Sequence, residues 1–505
     1  MRLLSNSAWN FAGGVVPTIA ALLTVPIVVS RLGVSEYGTL TLLTSIVGYF
    51  ALLDINASTG ALKYLAEYNA RQDHVRTRQL FSLGLVIYLL IGVIGGVAIA
   101  VYARELATSV FNVPLALHAE AVQALRYGGV AFLFAQLQTY LLAVPQAMQR
   151  FDVSARTEGV FGSLASVSTL VVVLLGGGLV EIMATRAAIS VANVVVLSGV
   201  AHKLIPDLRP AWPGRDVTRG LLTFSLYSYL TRFATVSYAN ADKLLVGAYI
   251  DMKSLAIYTV PFLLANRAFS LTYRLGQVMM PEASRLAANG QMDQLRRTYL
   301  ISARYLIFLN AAIACLLIFF GRELLYYWAG PTFGLQATVI LALVTTAVLF
   351  DSYTNLPSLV NDGLGKPANT GVFAFLRALV GLVAAWVGVR FGGIEGVAWA
   401  LLGVSFVMGL AFLAWVHVRV VPATLAEFVR TGVVPGLWPL AAALTCTALF
   451  INHPPLPLVW VLPLAALVVL LLVAYAWAVV IEPQHRAALW WRLRGRPLAA
   501  PPIKP

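Results

Sequence analysis

Residues 80–103 read Leu-Phe-Ser-Leu-Gly-Leu-Val-Ile-Tyr-Leu-Leu-Ile-Gly-Val-Ile-Gly-Gly-Val-Ala-Ile-Ala-Val-Tyr-Ala, with no charge anywhere. A helix that crosses the apolar layer of a bilayer needs roughly 20 such residues. The run is apolar on all sides, whereas a membrane β-strand alternates over about ten residues. Fourteen segments of this kind recur along the chain: 8–30, 37–62, 80–103, 119–147, 157–178, 182–202, 219–241, 254–280, 300–321, 333–358, 369–389, 394–416, 434–451 and 456–481. The whole chain of 505 residues is 60% hydrophobic and 11% charged, with a mean hydropathy of +0.82. A soluble domain carries about 25% charged residues. The reading is an all-α integral membrane protein with about fourteen spans. The net charge of +14 does not indicate nucleic acid, because the positive residues are scattered over short loops and form no soluble basic domain.

Loop charges set an orientation. With a cytoplasmic N-terminus, one set of loops collects most of the loop cations, from Lys63, Arg71, Arg76 and Arg78 through to Arg419 and Arg430. The tail adds Arg486, Arg492, Arg494 and Arg496, and the opposite loops hold few, among them Arg31, Arg104 and Arg322. By the positive-inside rule both termini are expected in the cytoplasm. The first span is expected to be retained, since no small-residue cleavage site precedes a soluble domain. No loop is long enough for a folded soluble domain. Cys315 and Cys446 both fall in apolar spans, and a disulfide is not expected.

The segment Arg31-Leu-Gly-Val-Ser-Glu-Tyr-Gly-Thr-Leu is echoed by Tyr249-Ile-Asp-Met-Lys-Ser-Leu-Ala-Ile-Tyr-Thr, at an offset of about 219 residues. After each comes a long span and then a basic amphipathic loop, Lys63-Tyr-Leu-Ala-Glu-Tyr-Asn-Ala-Arg in one case and Pro281-Glu-Ala-Ser-Arg-Leu-Ala-Ala-Asn in the other. Six spans against six is an even number, so the halves share topology and would be related by an axis along the membrane normal, a transporter arrangement. The expected division is an N-terminal six-helix half (1–202), a cytoplasmic linker (203–218), a C-terminal six-helix half (219–416), two additional spans (434–481) and a basic cytoplasmic tail (482–505).

Several residues together carry a resemblance: Asn6 and Asn10, Pro26, Arg31-Leu-Gly33, Glu36-Tyr37-Gly38, and Asp54 followed by Ala61-Leu-Lys-Tyr-Leu-Ala-Glu67. In the second half Asn240-Ala-Asp242-Lys243, Gly247 and Ser254-Leu-Ala-Ile-Tyr258 add to it. Over roughly residues 1–420 the chain resembles the MOP (multidrug/oligosaccharidyl-lipid/polysaccharide) exporter superfamily, whose drug-exporting branch is the MATE transporters, and within it the Wzx-type polysaccharide flippases. The resemblance implies a secondary transporter and not an enzyme. It implies that a polyprenyl-diphosphate-linked oligosaccharide is moved across the bacterial inner membrane by alternating access. The bilayer and other membrane proteins of polysaccharide assembly are the implied partners, no cofactor is implied, and coupling to H+ or Na+ is open.

Five arginines lie inside expected spans: Arg126, Arg232, Arg267, Arg274 and Arg377. A charge at membrane depth is costly and normally faces a wet cavity or a partner. Arg267, Ser270, Arg274 and Gln277 sit at i, i+3, i+7 and i+10, within about 80° of a helical wheel, with Thr259 on the same stripe. As a cavity wall this ridge suits phosphate oxygens, which guanidinium binds bidentately; as plain structure it is interhelical pairing or snorkelling. Ser225, Ser228, Arg232 and Thr235 share a face with Tyr229 at its edge, and Arg232 either lines the cavity or pairs with an acid such as Asp54 or Asp351. Arg126, early in its span, can snorkel; Arg377 has few polar neighbours in sequence. Asp54 reads as a helix-end cap, an arginine's partner or an ion-coupling site. Asp351, followed by Ser352, Tyr353, Thr354 and Asn355 and then Pro357, reads as a helix break whose freed carbonyls could bind ions or sugar hydroxyls. Asp242 and Lys243 read as parts of an interface or gate.

The histidines lie far apart with no metal-ligand spacing, and no GxxxxGK[ST] motif is present, so ATP hydrolysis is not expected from this chain. The competing readings are a lipid II flippase, a cation-coupled multidrug exporter of the same fold, and a membrane glycosyltransferase or polymerase. A drug exporter for cations would favour cavity acids, whereas here arginines predominate; a polymerase would need a large external loop.

Overall fold

The structure, a computed structural model, describes residues 19–205, 209–450 and 454–486. The described residues form helices and turns, without a β-strand. In chain order the main helices are α1 (Ile19–Leu32), α2 (Val34–Tyr49), α3 (Ala57–Ala70), α4 (His74–Val101), α5 (His118–Ala147), α6 (Phe151–Leu174), α7 (Leu179–Leu204) and α8 (Arg215–Tyr249). They continue as α9 (Met252–Gly276), α10 (Met279–Ala288), α11 (Met292–Phe319), α12 (Thr338–Gly363), α13 (Pro367–Arg419), α14 (Val434–Phe450) and α15 (Leu458–Tyr475). Among the described residues ten helical segments are long and apolar enough to cross a membrane. The long α13 is two helices that meet at Gly393, whose φ of 58° is easy only for glycine. Gly388 and Gly396 stack backbone to backbone beside that turn, so the expected eleventh and twelfth spans form a hairpin. The described part of α1 and the 17-residue α14 are shorter than a full crossing, and α8 carries Arg219, Arg232, Asp242 and Lys243 along its length. The count of fourteen therefore stays with the sequence reading.

Two compact units emerge from the packing. The first holds residues up to 264 together with 328–340 and 368–404; the second holds 265–327, 341–367 and the chain from 405 onward. In the first unit α4 and α5 cross at Gly96 and Gly129: a Cβ added to Gly96 would sit 2.6 Å from the Gly129 carbonyl oxygen, and one added to Gly129 would sit 2.4 Å from that of Gly96. Lipid is as apolar as leucine, so membrane helices associate through such close packing and not through water exclusion. Gly84 and Gly95 on the same helix receive the Tyr140 and Phe132 rings. The two echoed segments lie against each other, with Gly38 directly on the Met252 backbone. Asn112 fastens the end of α8, its side-chain amide donating to the carbonyls of Ala248 and Ile250 at 3.2 and 2.8 Å.

The stretch 63–79, read as a loop, is helical over most of its length, as the end of α3 and the start of α4. Ala57, Ala61 and Leu65 repeat every four residues and are fully buried, packing with Leu80, Tyr140, Leu197 and Leu221. That apolar stripe explains why a segment too polar for a span is still helix. In the second unit α10 is tied to α12 by the Ser284 hydroxyl, which donates to the Gly363 carbonyl at 2.6 Å. Past α13, Glu427 accepts a hydrogen bond from Arg296, which holds its carboxyl below the usual glutamate range.

Gly96→Val should press a side chain into the Gly129 backbone. Overpacking of this kind costs about 1–3 kcal/mol. The apparent Tm of the purified protein in detergent is expected to drop clearly, while Gly199→Val, at an exposed site with open space around it, should change it little.

Candidate functional site

The apolar run 37–62, read as one span, is broken in the structure. After α2 the chain makes a 3-10 turn over Phe50–Leu53. Asp54 is extended, Asn56 takes the left-handed conformation at φ 59°, and α3 then begins. Asparagine tolerates that region better than most residues, which lets the chain restart without glycine. The break places the Asp54 carboxylate, fully buried, where helix would otherwise continue. Its Oδ1 accepts from the Tyr88 hydroxyl at 2.7 Å and from the Asn56 amide at 2.8 Å. The Tyr88 oxygen in turn accepts from the Ser58 amide at 2.8 Å. Tyr88 stacks on Tyr140 at 5.3 Å, and the Tyr140 hydroxyl donates to the Phe81 carbonyl at 2.9 Å.

α8 reaches this break from the other side with two residues one turn apart. The Tyr229 hydroxyl donates to the Leu52 carbonyl at 2.9 Å. Arg232, at the midpoint of α8, brings Nη2 to 3.5 Å from Asp54 Oδ2. The pair is only partly engaged: Asp54 Oδ2 and Arg232 Nε are both buried and without a hydrogen-bond partner among the described residues. The Arg232 side chain keeps 26% of its surface exposed. A buried carboxylate stays charged only when paired and hydrogen-bonded; here one oxygen is satisfied and the other faces a cation without bonding it.

On the second unit's part of α9, Arg267 and Gln277 are exposed and Ser270 and Arg274 half-buried, and neighbours off the stripe such as Tyr273 and Leu275 are exposed as well. Arg267 and Arg274 stand about 10 Å apart along the helix axis. The Ser270 hydroxyl is committed to the Arg267 carbonyl at 2.8 Å. Thr259, expected on the same stripe, is instead buried in the first unit and bonded to the Leu255 carbonyl. The opposite face of α9 is polar too: the Thr272 hydroxyl donates to Asn310 beside a small hollow that Ser352, Tyr353 and Asn355 also line.

Arg377 is half-buried and lays its guanidinium over the Tyr238 ring at 5.0 Å. Arg126, two turns into α5, is exposed. Asp351 is half-buried on α12. The expected break there does not occur: α12 runs through Pro357 from Thr338 to Gly363, since one proline removes one hydrogen bond and kinks a helix without having to end it. Asp242 accepts from the Tyr258 hydroxyl at 2.6 Å, and the buried Lys243 sits 3.4 Å from Asp242 and 4.2 Å from the Phe262 ring centre. The Ser228 side chain, Asn6, Asn10 and the tail arginines Arg492, Arg494 and Arg496 fall outside the described residues. No group of His, Cys, Asp or Glu among the described residues could hold a metal ion.

Sequence reasoning missed Tyr88, which looks like one apolar residue more in its span, and Arg186, which lies inside α7 with its Nε buried and without a hydrogen-bond partner among the described residues. A hydroxyl midway along an uncharged run was the available sign for the first.

Tyr88→Phe removes a donor to Asp54 and the acceptor for the Ser58 amide. The loss of stability is expected at about 1–3 kcal/mol, read as a lower Tm in detergent. Tyr102→Phe, at an exposed position, should leave the Tm within error.

Residues 28–333 match the family model described as polysaccharide biosynthesis protein. The chain is 18% identical over 433 residues to a putative O-antigen transporter of Shigella flexneri, covering 83% of this chain and 98% of that one. It is 20% identical over 378 residues to the probable flippase AglR of Haloferax volcanii, covering 73% and 74%. Among solved structures, an inward-facing MATE multidrug transporter of the MOP superfamily superposes with a TM-score of 0.71 at 13% identity, covering 82% of this chain and 96% of that one. A MOP-superfamily transporter from Pyrococcus furiosus, described by the reversed polarity of its binding pocket, superposes with a TM-score of 0.61 at 14% identity, covering 85% and 96%. These relatives are transporters or flippases by name, and the fold of the solved structures is the one found here, in a multi-pass membrane protein. The fold class and the resemblance read from the residues are thereby met, and the chain belongs to the polysaccharide biosynthesis protein family, with the fold of the MOP exporters.

Proposed function

We propose that the protein is a flippase that moves a polyprenyl-diphosphate-linked oligosaccharide across the bacterial inner membrane by alternating access. The observation that carries this reading is the set of arginines at membrane depth that keep surface open. Arg267 is exposed, and Arg232 keeps a quarter of its side chain accessible while only half engaged with its acid. An arginine in the bilayer costs at least a few kcal/mol, so open ones need a ligand or water to face. A diphosphate offers guanidinium the oxygen pairs it binds best. Arg274 and Gln277 extend the same stripe, Ser270 orders it through its own helix, and Arg377 is positioned by Tyr238. Arg126 would serve as a cation near a helix start.

The relatives' names, one an O-antigen transporter and one a flippase, support a lipid-linked glycan as cargo. The polyprenyl tail would stay in lipid while the headgroup crosses between two six-helix halves, 1–202 and 219–416. Cytoplasmic termini follow from the loop cations. Coupling to H+ or Na+ would act through Asp54 or Asp351, the acids that the two units hold at depth.

Headgroup translocation of a fluorescent polyprenyl-diphosphate oligosaccharide in proteoliposomes tests this reading. Arg267→Ala is expected to slow translocation about tenfold or more, the equivalent of ~1.4 kcal/mol at the barrier, with the protein still folded. Unchanged translocation would remove Arg267 from the site. No translocation by the native chain, with export of a cationic dye, would turn the reading to a drug exporter.

A further inference from the structure

The Asp54–Arg232 contact has a feature that a purely structural ion pair would lack. A pair built for stability closes its hydrogen bonds, because an open lone pair in a buried carboxylate is a cost with no return. Here Oδ1 is saturated by the Tyr88 hydroxyl and the Asn56 amide, while Oδ2 has no hydrogen bond among the described residues. The guanidinium meets Oδ2 through one nitrogen at 3.5 Å and leaves Nε buried and, among the described residues, unbonded, while part of the same side chain is accessible. Arg232 is thus poised between the acid and open space.

The surroundings allow it to turn. Tyr229, one turn before Arg232, holds α8 to the Leu52 carbonyl at 2.9 Å. The backbone of α8 therefore keeps its place whether or not the guanidinium faces Asp54, and only a side chain has to move. The other groups that face the carboxylate do not replace the cation. From α4 comes the Tyr88 hydroxyl; behind it, from α5, Tyr140 is stacked and its own hydroxyl is spent on the Leu80 and Phe81 carbonyls. From the start of α3 come backbone amides. If Arg232 leaves, Asp54 is a fully buried carboxylate held by neutral donors alone. A buried acid that loses its counter-charge favours its neutral form.

We propose that Arg232 is shared between Asp54 and the diphosphate of the cargo, so that loading the anion transfers one proton from solvent to Asp54 Oδ2. This rests on the reading of the cargo as a diphosphate. The balance is simple. The anion gains the guanidinium, the carboxylate gains a proton, and no other bond changes. When the anion departs, Arg232 turns back and the proton leaves. Proton and cargo then bind together, each raising the affinity for the other, as linkage requires.

The test uses the full-length purified chain and farnesyl diphosphate as the probe, at a pH where the probe is fully ionised. Calorimetry in two buffers of different ionisation enthalpy gives the protons taken up on binding. The native chain is expected to take up close to one more proton than Asp54→Asn, and its affinity should weaken by up to about tenfold per pH unit across the window in which Asp54 titrates. The sign follows from the bound state holding the extra proton. Arg232→Gln should bind more weakly and with no extra proton. Infrared difference spectra of the native chain, which need no variant to fold, should show the stretch of a protonated carboxylic acid when the probe is added. Binding with equal proton uptake in native and Asp54→Asn chains, with no such band, overturns the shared arginine and leaves the anion reading intact. Affinity that follows sodium instead of pH overturns it likewise. No binding of the probe at all overturns both.

Discussion

A carboxylate buried in a membrane protein stays charged only if the chain around it is built to hold the charge, and Asp54 makes that demand on four elements at once. The break after α2 exists in a form that turns amides toward its Oδ1. Tyr88 on α4 supplies the hydroxyl, Tyr140 on α5 braces Tyr88, and α8 brings Arg232 to the remaining oxygen. The glycines that let α4 and α5 approach are part of the same requirement, because Gly84 leaves the space in which the Tyr140 ring sits. Without that close packing, Tyr88 would have no rigid support and the acid no fixed donor.

The arginines divide by what they already touch. Arg377 rests on Tyr238, a contact that orients a cation without neutralising it. Arg232 is half committed to Asp54. Arg267 is exposed and Arg274 half-buried, about 10 Å apart along α9. On the proposed reading, the cargo's negative charge is what these cations would meet.

Much of the fold was legible because apolar runs of 20 or more residues have few other fates. The helices fall where those runs lie, and the hairpin in α13 sits at the Gly392-Gly393 pair that separates two of them. The break at Asp54 was not legible, since Leu53-Asp-Ile-Asn56 contains neither glycine nor proline and the left-handed turn depends on asparagine. The opposite error was made at Pro357, where a strong local signal for a break was overridden by packing along α12. The stripe on α9 is an angle read from spacing; an angle does not say what faces it, and Thr259 proved buried. Asp54 and Arg232 were each visible as charges in apolar surroundings, and the pair was among the alternatives. Tyr88 and Tyr238 were not, because their partners lie 34 and 139 residues away in a single sequence that carries no mark of contact.

The central claim is that Asp54 and Arg232 act as one unit, and a double-mutant cycle on thermal stability tests it most directly. Arg232→Gln leaves the carboxylate without its cation, and taking up a proton in its place holds the cost below the roughly 3–5 kcal/mol of a stranded buried charge. Adding Asp54→Asn to that variant removes the stranded acid and should recover much of the loss, giving a coupling energy of about 1–3 kcal/mol. If the two substitutions instead add, the contact is incidental and the account built on it fails.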